Sequence, residues 1–170
     1  MKLKSFLVIL PFLTAIATLG AGQAKAGSKA HEHGTAILNF VVEGASLTIE
    51  FLSPAVSIYG FEYEAKSEAD KQNQRLGLSR LKEKFGEIVV LDRAFNCQLK
   101  DSKVEIQKDK SEHSEVKGAF RFECTKPLAG SAAQVDFSKH FNSVKLITVQ
   151  ILSGEKQTGT KIKQKGWVEL

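Results

Sequence analysis

Cysteine is nearly absent from this chain: Cys97 and Cys124 are the only two among 170 residues, which leaves room for a single bridge. Long apolar runs are scarce as well. Apart from one near the start, no stretch approaches the ~20 residues that a membrane-spanning helix needs. The signatures of common catalytic sites are missing too: there is no G-x-S-x-G, no H-E-x-x-H and no glycine-rich phosphate loop. The expectation is a binding protein rather than an enzyme. Internal repeats and low-complexity segments do not occur, and neither does a strong surplus of one charge. The 24 basic and 19 acidic residues are mixed along the chain, as on an ordinary solvated surface, and this excludes nucleic acid as the expected partner.

What is present begins with a targeting signal. Lys2 and Lys4 precede an apolar run from Phe6 to Leu19, and Ala24-Lys25-Ala26 supplies small residues where a signal peptidase reads. Residues 1–26 are therefore expected to leave, with cleavage after Ala26. Lys2, Lys4 and Lys25 would leave with them, taking the net charge from +5 to +2. No cysteine lies near the cleavage point, so no lipid anchor is expected. Residues 27–170 are long enough for one domain with a real core. The expected location is the bacterial periplasm, with no membrane insertion of the mature chain. In that oxidising compartment a Cys97–Cys124 disulfide is the default, with metal ligation or free thiols as the alternatives.

Periodicity predicts an α+β fold, a mainly antiparallel sheet with one amphipathic helix packed on it. Ala36, Leu38, Phe40 and Val42 recur every second residue, and after Gly44 so do Leu47, Ile49 and Phe51, a pattern that reads as a hairpin ended at Pro54. From Glu64 to Phe85 the spacing turns helical. Ser67 with Asp70 three residues on resembles a capping signature, and Gly86 sits where a stop belongs. Gly77 weakens the middle of that helix by ~1 kcal/mol relative to alanine. Cys97 and Leu99 share one parity while Val104 and Ile106 share the other, so a bulge is expected near Asp101-Ser102. Val116 to Cys124 alternate cleanly. An antiparallel hairpin across Lys108 to Glu115 would set the two cysteines nearly opposite each other. Val144 to Leu152 is apolar on both faces, which suggests a central strand. Gly166 to Leu170 could close the sheet.

Two of the four histidines stand at the expected new N-terminus, in HEHGTAILNF. In an extended segment His31 and His33 point to one side, roughly 7 Å apart. Imidazole suits zinc, copper and nickel, but two ligands do not complete a zinc site. Others must come from His113, His140, Glu32, Glu50 or Glu62. Solvent exposure of both histidines is the plainer reading. Cleavage after Ser28 would instead place His31 third, where a terminal amine can wrap copper or nickel in a square plane. Gly60-Phe61-Glu62-Tyr63 reads most simply as a glycine bend with Phe61 entering the core.

Together, HEHGTAILNFVVEGASLTIEFLSPA and IYGFEY, followed by RAFNCQL and FRFECTKPL, resemble the ZrgA-like family of exported proteins. The resemblance spans nearly the whole mature chain. It implies a periplasmic zinc-binding accessory protein that contributes to zinc acquisition, alongside an ABC-type zinc importer. It assigns ligand roles to His31, His33 and Glu62; the expectation here is that a carboxylate or His140 completes the set. Two departures stand out. Tyr63 replaces a histidine common in the family, and the connection KDKSEHSEV carries only His113 where relatives often have a histidine-rich tract. Both imply a reduced metal capacity. The alternative is a metal-independent interaction domain.

Overall fold

The computed structural model describes residues 32–108 and 113–170. The expected signal, its cleavage point and His31 lie outside them. The alternating opening folds as expected: β1 (Thr35–Glu43) and β2 (Ser46–Pro54) form an antiparallel hairpin. Its two-residue turn needs the left-handed backbone of Gly44, at φ +59°. Inward residues Leu38, Phe40, Leu47 and Ile49 are fully buried, and their neighbours along each strand are not. A short helix that periodicity did not signal, α1 (Val56–Tyr59), follows directly. It stops at Gly60, φ +97°.

The long helix α2 runs Glu68–Ile88. Ser67 caps it as anticipated, its hydroxyl accepting the Asp70 N–H at 3.0 Å. Its end is a correction. The helix passes through Gly86, because Ile88 and Val89 continue the buried stripe of Leu81 and Phe85 into the core. β3 (Val89–Leu91) then begins without a loop.

β4 (Gln98–Lys108) and β5 (Ser114–Glu123) form the second hairpin, and its register shifts between Leu99 and Asp101. The change of parity is therefore a bulge, as expected. Gln98 pairs with Glu123, and in the next position outward Cys97 and Cys124 are joined by a disulfide, Cα–Cα 4.0 Å.

β6 (Ala132–Asp136), β7 (Leu146–Ser153), β8 (Lys156–Lys163) and β9 (Lys165–Glu169) complete the fold. The large sheet has the order β4-β5-β2-β1-β7-β8, and a second sheet has the order β3-β6-β9. All pairings are antiparallel except β1 with β7, which is parallel. Two expectations need adjusting. β7 is paired on both sides but lies one strand in from the edge, because the polar stretch after it forms β8. Lysines and threonines there blunt an open edge. β9 closes the small sheet and not the large one. The core lies between the inner face of the large sheet, α2 and the small sheet, where the Phe51 ring meets those of Phe85 and Phe137 at 6.5 and 6.0 Å.

Candidate metal centre

α1 organises the candidate site. The N–H of Ala55 donates to the carbonyl of Ser114 at 2.9 Å, which docks the start of β5 beside the helix. The hydroxyl of Ser57, which is buried, accepts the N–H of Gly34 at 3.0 Å. The Gly34 carbonyl in turn accepts from the N–H groups of Lys145 and Leu146 at 2.7 and 3.1 Å. Beyond Gly60 the chain bends so that Phe61 enters the core, its ring 4.8 Å from Tyr59 and 4.7 Å from Tyr63. Glu62 is thus flanked by stacked aromatics. His33, Glu62 and His113 each adjoin one of these anchored residues.

The three side chains converge. Glu62 Oε2 lies 2.8 Å from His113 Nδ1, and Glu62 Oε1 lies 3.4 Å from His33 Nε2. The carboxylate is sheltered, with its side chain 16% exposed, whereas the imidazoles of His33 and His113 are 69% and 54% exposed. One sheltered carboxylate therefore stands between two largely exposed imidazoles. Lys108 Nζ, 4.0 Å from Glu64, adds a second link between the β4–β5 hairpin and the segment that carries Glu62.

Zinc takes nitrogen and oxygen ligands at about 2.0–2.1 Å, so neighbouring ligands of a tetrahedral site stand about 3.3 Å apart. The 3.4 Å between His33 Nε2 and Glu62 Oε1 matches such an edge. The shorter His113 contact is a hydrogen bond, and the ring must turn before its nitrogen can face a metal. Accordingly, no three His, Cys, Asp or Glu side chains among the described residues are gathered into a group that could hold an ion as they stand.

Of the expected ligands, the structure brings His33 and Glu62 together. His140 is engaged elsewhere: its Nε2 lies 3.0 Å from Glu87 Oε2, while Lys84 Nζ lies 2.9 Å from Glu87 Oε1. Lys84 first, and His140 after it, hold the Glu87 carboxyl below the ordinary carboxylate range. His113 takes the third position at Glu62. In the sequence it was one of several candidates. The signal that could have singled it out is its place at the end of the β4–β5 connection, which the strand register carries back to the G-F-E segment. The cysteines, being bridged, offer no thiolate.

No described helix is long and apolar enough to cross a membrane. Comparison with curated proteins gives no match. The profile of the family described as ZrgA family zinc uptake protein matches residues 30–167. That range takes in all three converging side chains, both cysteines and every strand but the last residues of β9. The chain belongs to the ZrgA family of zinc uptake proteins.

Proposed function

We propose that this protein binds zinc at His33, Glu62 and His113 as a periplasmic accessory to zinc uptake. The observation that carries the reading is the Glu62 carboxylate with an imidazole at each of its oxygens, drawn from three separate segments of the chain. Borderline-soft zinc is served by such a mixed nitrogen and oxygen set, and a fourth position is left for water or for His31. Zinc here is cargo. A carrier needs ligands that let go, and two exposed imidazoles around one sheltered carboxylate suit transfer to the binding component of an ABC-type importer. No catalytic step is ascribed to the chain. Copper and nickel favour the same imidazoles and belong in the test as competitors.

A second reading, a metal-independent interaction domain, is favoured by one observation: the three side chains do not yet form a metal-holding group. Calorimetric titration of zinc into the dialysed mature protein separates the two. Native protein and His140→Ala should bind alike, whereas Glu62→Gln and the double variant His33→Ala/His113→Ala should lose most of the affinity. Equal binding by Glu62→Gln, or no uptake by native protein below millimolar zinc, would give the chain to the second reading.

A further inference from the structure

Strands at the rim of a sheet offer unpaired main-chain groups to other chains, and lysines along the rim discourage such pairing. β8, the rim of the large sheet, is guarded in this way by Lys156, Lys161 and Lys163, with no acidic residue among them. β9, the rim of the small sheet, is not. Its exposed residues are Lys165, Trp167 and Glu169, one charge of each sign with an indole midway. Trp167 is the most exposed large apolar residue among those described, at 65%. The main chain of β9 has a definite phase. The Gln164 carbonyl accepts the Phe137 N–H at 3.0 Å, and the Leu170 N–H donates to the Ser131 carbonyl at 2.8 Å. Main-chain groups of an antiparallel strand turn to alternate sides. Gly166 and Val168 therefore face β6, whereas Lys165, Trp167 and Glu169 direct their N–H and C=O groups to the open rim. β8 packs on β9 where Gly166 meets Ile162, and a cleft of about 470 Å³ separates the strands beside Trp167 and Glu169.

We propose that β9 pairs edge to edge with β9 of a second copy of this chain, antiparallel about a two-fold axis at Trp167. The three strands of each small sheet then join into one continuous sheet. A two-fold interface must be complementary to itself, and β9 is. With Trp167 opposite its own counterpart, Lys165 of each copy stands opposite Glu169 of the other, an arrangement that stabilises a strand pair. A parallel alignment would set lysine against lysine and glutamate against glutamate. The same register brings Lys165, Trp167 and Glu169 into the hydrogen-bonded phase, so every main-chain group offered at the rim meets one from the second copy. Lys165 also holds Asp136, at 3.2 Å, which fixes its ammonium group beside the strand. The surroundings of the indole suit a protein partner: Val90, Leu91, Phe95 and Ala132 line the hollow of about 370 Å³ beside it. A tryptophan ringed by apolar groups at the centre of a contact is the usual anchor of a protein interface. The inference does not depend on zinc binding.

Sedimentation velocity of the exported, disulfide-bonded protein over the micromolar range should show a monomer passing reversibly into a dimer, as a small interface dictates. Trp167 is the only tryptophan in the chain, so its emission should move to the blue in step with the dimer. Trp167→Ala and Glu169→Lys change exposed side chains. Both should stay monomeric while keeping a cooperative unfolding transition. Cross-linking reads the register. Facing α-carbons of a hydrogen-bonded antiparallel pair stand ~5.5 Å apart, within reach of a disulfide. Under mild oxidation a mixture of Lys165→Cys with Glu169→Cys should therefore give a covalent dimer, and neither variant alone should. Native protein that remains a monomer through the millimolar range overturns the proposal. So does a dimer that Glu169→Lys leaves intact, or a mixture that cross-links no better than its two components.

Discussion

The N–H of Gly34 donates to the Ser57 hydroxyl at 3.0 Å, across 23 positions of sequence. His33 is therefore the neighbour of a residue held from both its N–H and its carbonyl, and not part of a loose N-terminal arm. Removing the hydroxyl in Ser57→Ala leaves the Gly34 N–H without its acceptor, a loss on the order of 1–3 kcal/mol. Denaturant unfolding should show that loss. Calorimetry should show zinc affinity falling severalfold as the His33 segment loosens. Unchanged affinity in a destabilised Ser57→Ala would mean that His33 needs no anchoring.

The two glycines of α2 should respond to alanine with opposite signs. A β-carbon at Gly77 would stand 2.8 Å from Tyr59 Cβ and 2.9 Å from the Ile58 carbonyl, so α1 would have to move. Gly86 has nothing within 4 Å of such an atom. Helix propensity alone favours alanine at both positions by roughly 0.5–1 kcal/mol. Gly86→Ala should gain that amount in thermal or denaturant unfolding. Gly77→Ala should lose 1–3 kcal/mol, the scale of an overpacked core. A stabilised Gly77→Ala would show that α1 can retreat freely.

Breaking the Cys97–Cys124 bridge should destabilise the fold by about 3–4 kcal/mol, the chain-entropy value for a loop of its length, the sequence separation being 27. Unfolding of Cys97→Ser/Cys124→Ser, compared with the oxidised protein, measures this. Thiol labelling of the denatured, unreduced native chain should find no free cysteine.

Asp136 makes stability dependent on acid. The Ser138 hydroxyl first, and Lys165 and the Ser138 N–H after it, hold its carboxyl below the ordinary carboxylate range although burial pushes the other way. The folded state thus binds this proton less readily than the unfolded chain. The stabilisation is present above the unfolded value near ~4 and is lost as pH falls through the lower folded value. Asp136→Asn should be less stable than native at neutral pH, and the gap should narrow below about pH 4. A gap that stays constant with pH would assign the effect to packing.

Much of this fold was legible in local pattern. Alternation gave β1, β2 and β5, the parity change gave the bulge after Leu99, and Ser67 with Asp70 gave the start of α2. The failures came where tertiary packing overrode a local rule. Gly86 did not stop its helix because Ile88 had a core to enter. Lys156–Lys163 is polar and shows no apolar alternation, yet β7 offered it a ladder. The cluster around Glu62 divided in the same way. His33 and Glu62 were candidates from their own segments. That His113 also meets Glu62, while His140 meets Glu87, follows from the docking of Ser114 on Ala55 and is not written in spacing.

The parallel pairing of β1 with β7 sets Thr35 beside Leu146. It also sets the order in which the chain can fold. The β1–β2 hairpin can form as soon as it emerges and can recruit the β4–β5 hairpin on one side. The other edge of β1 waits until almost the whole chain is available, and only then can β7 and β8 cover it. Such high contact order slows folding and leaves an apolar strand edge open in the meantime. Time spent with that edge bare exposes the protein to mispairing and aggregation. Holding chaperones should therefore raise its yield more than added folded-state stability does.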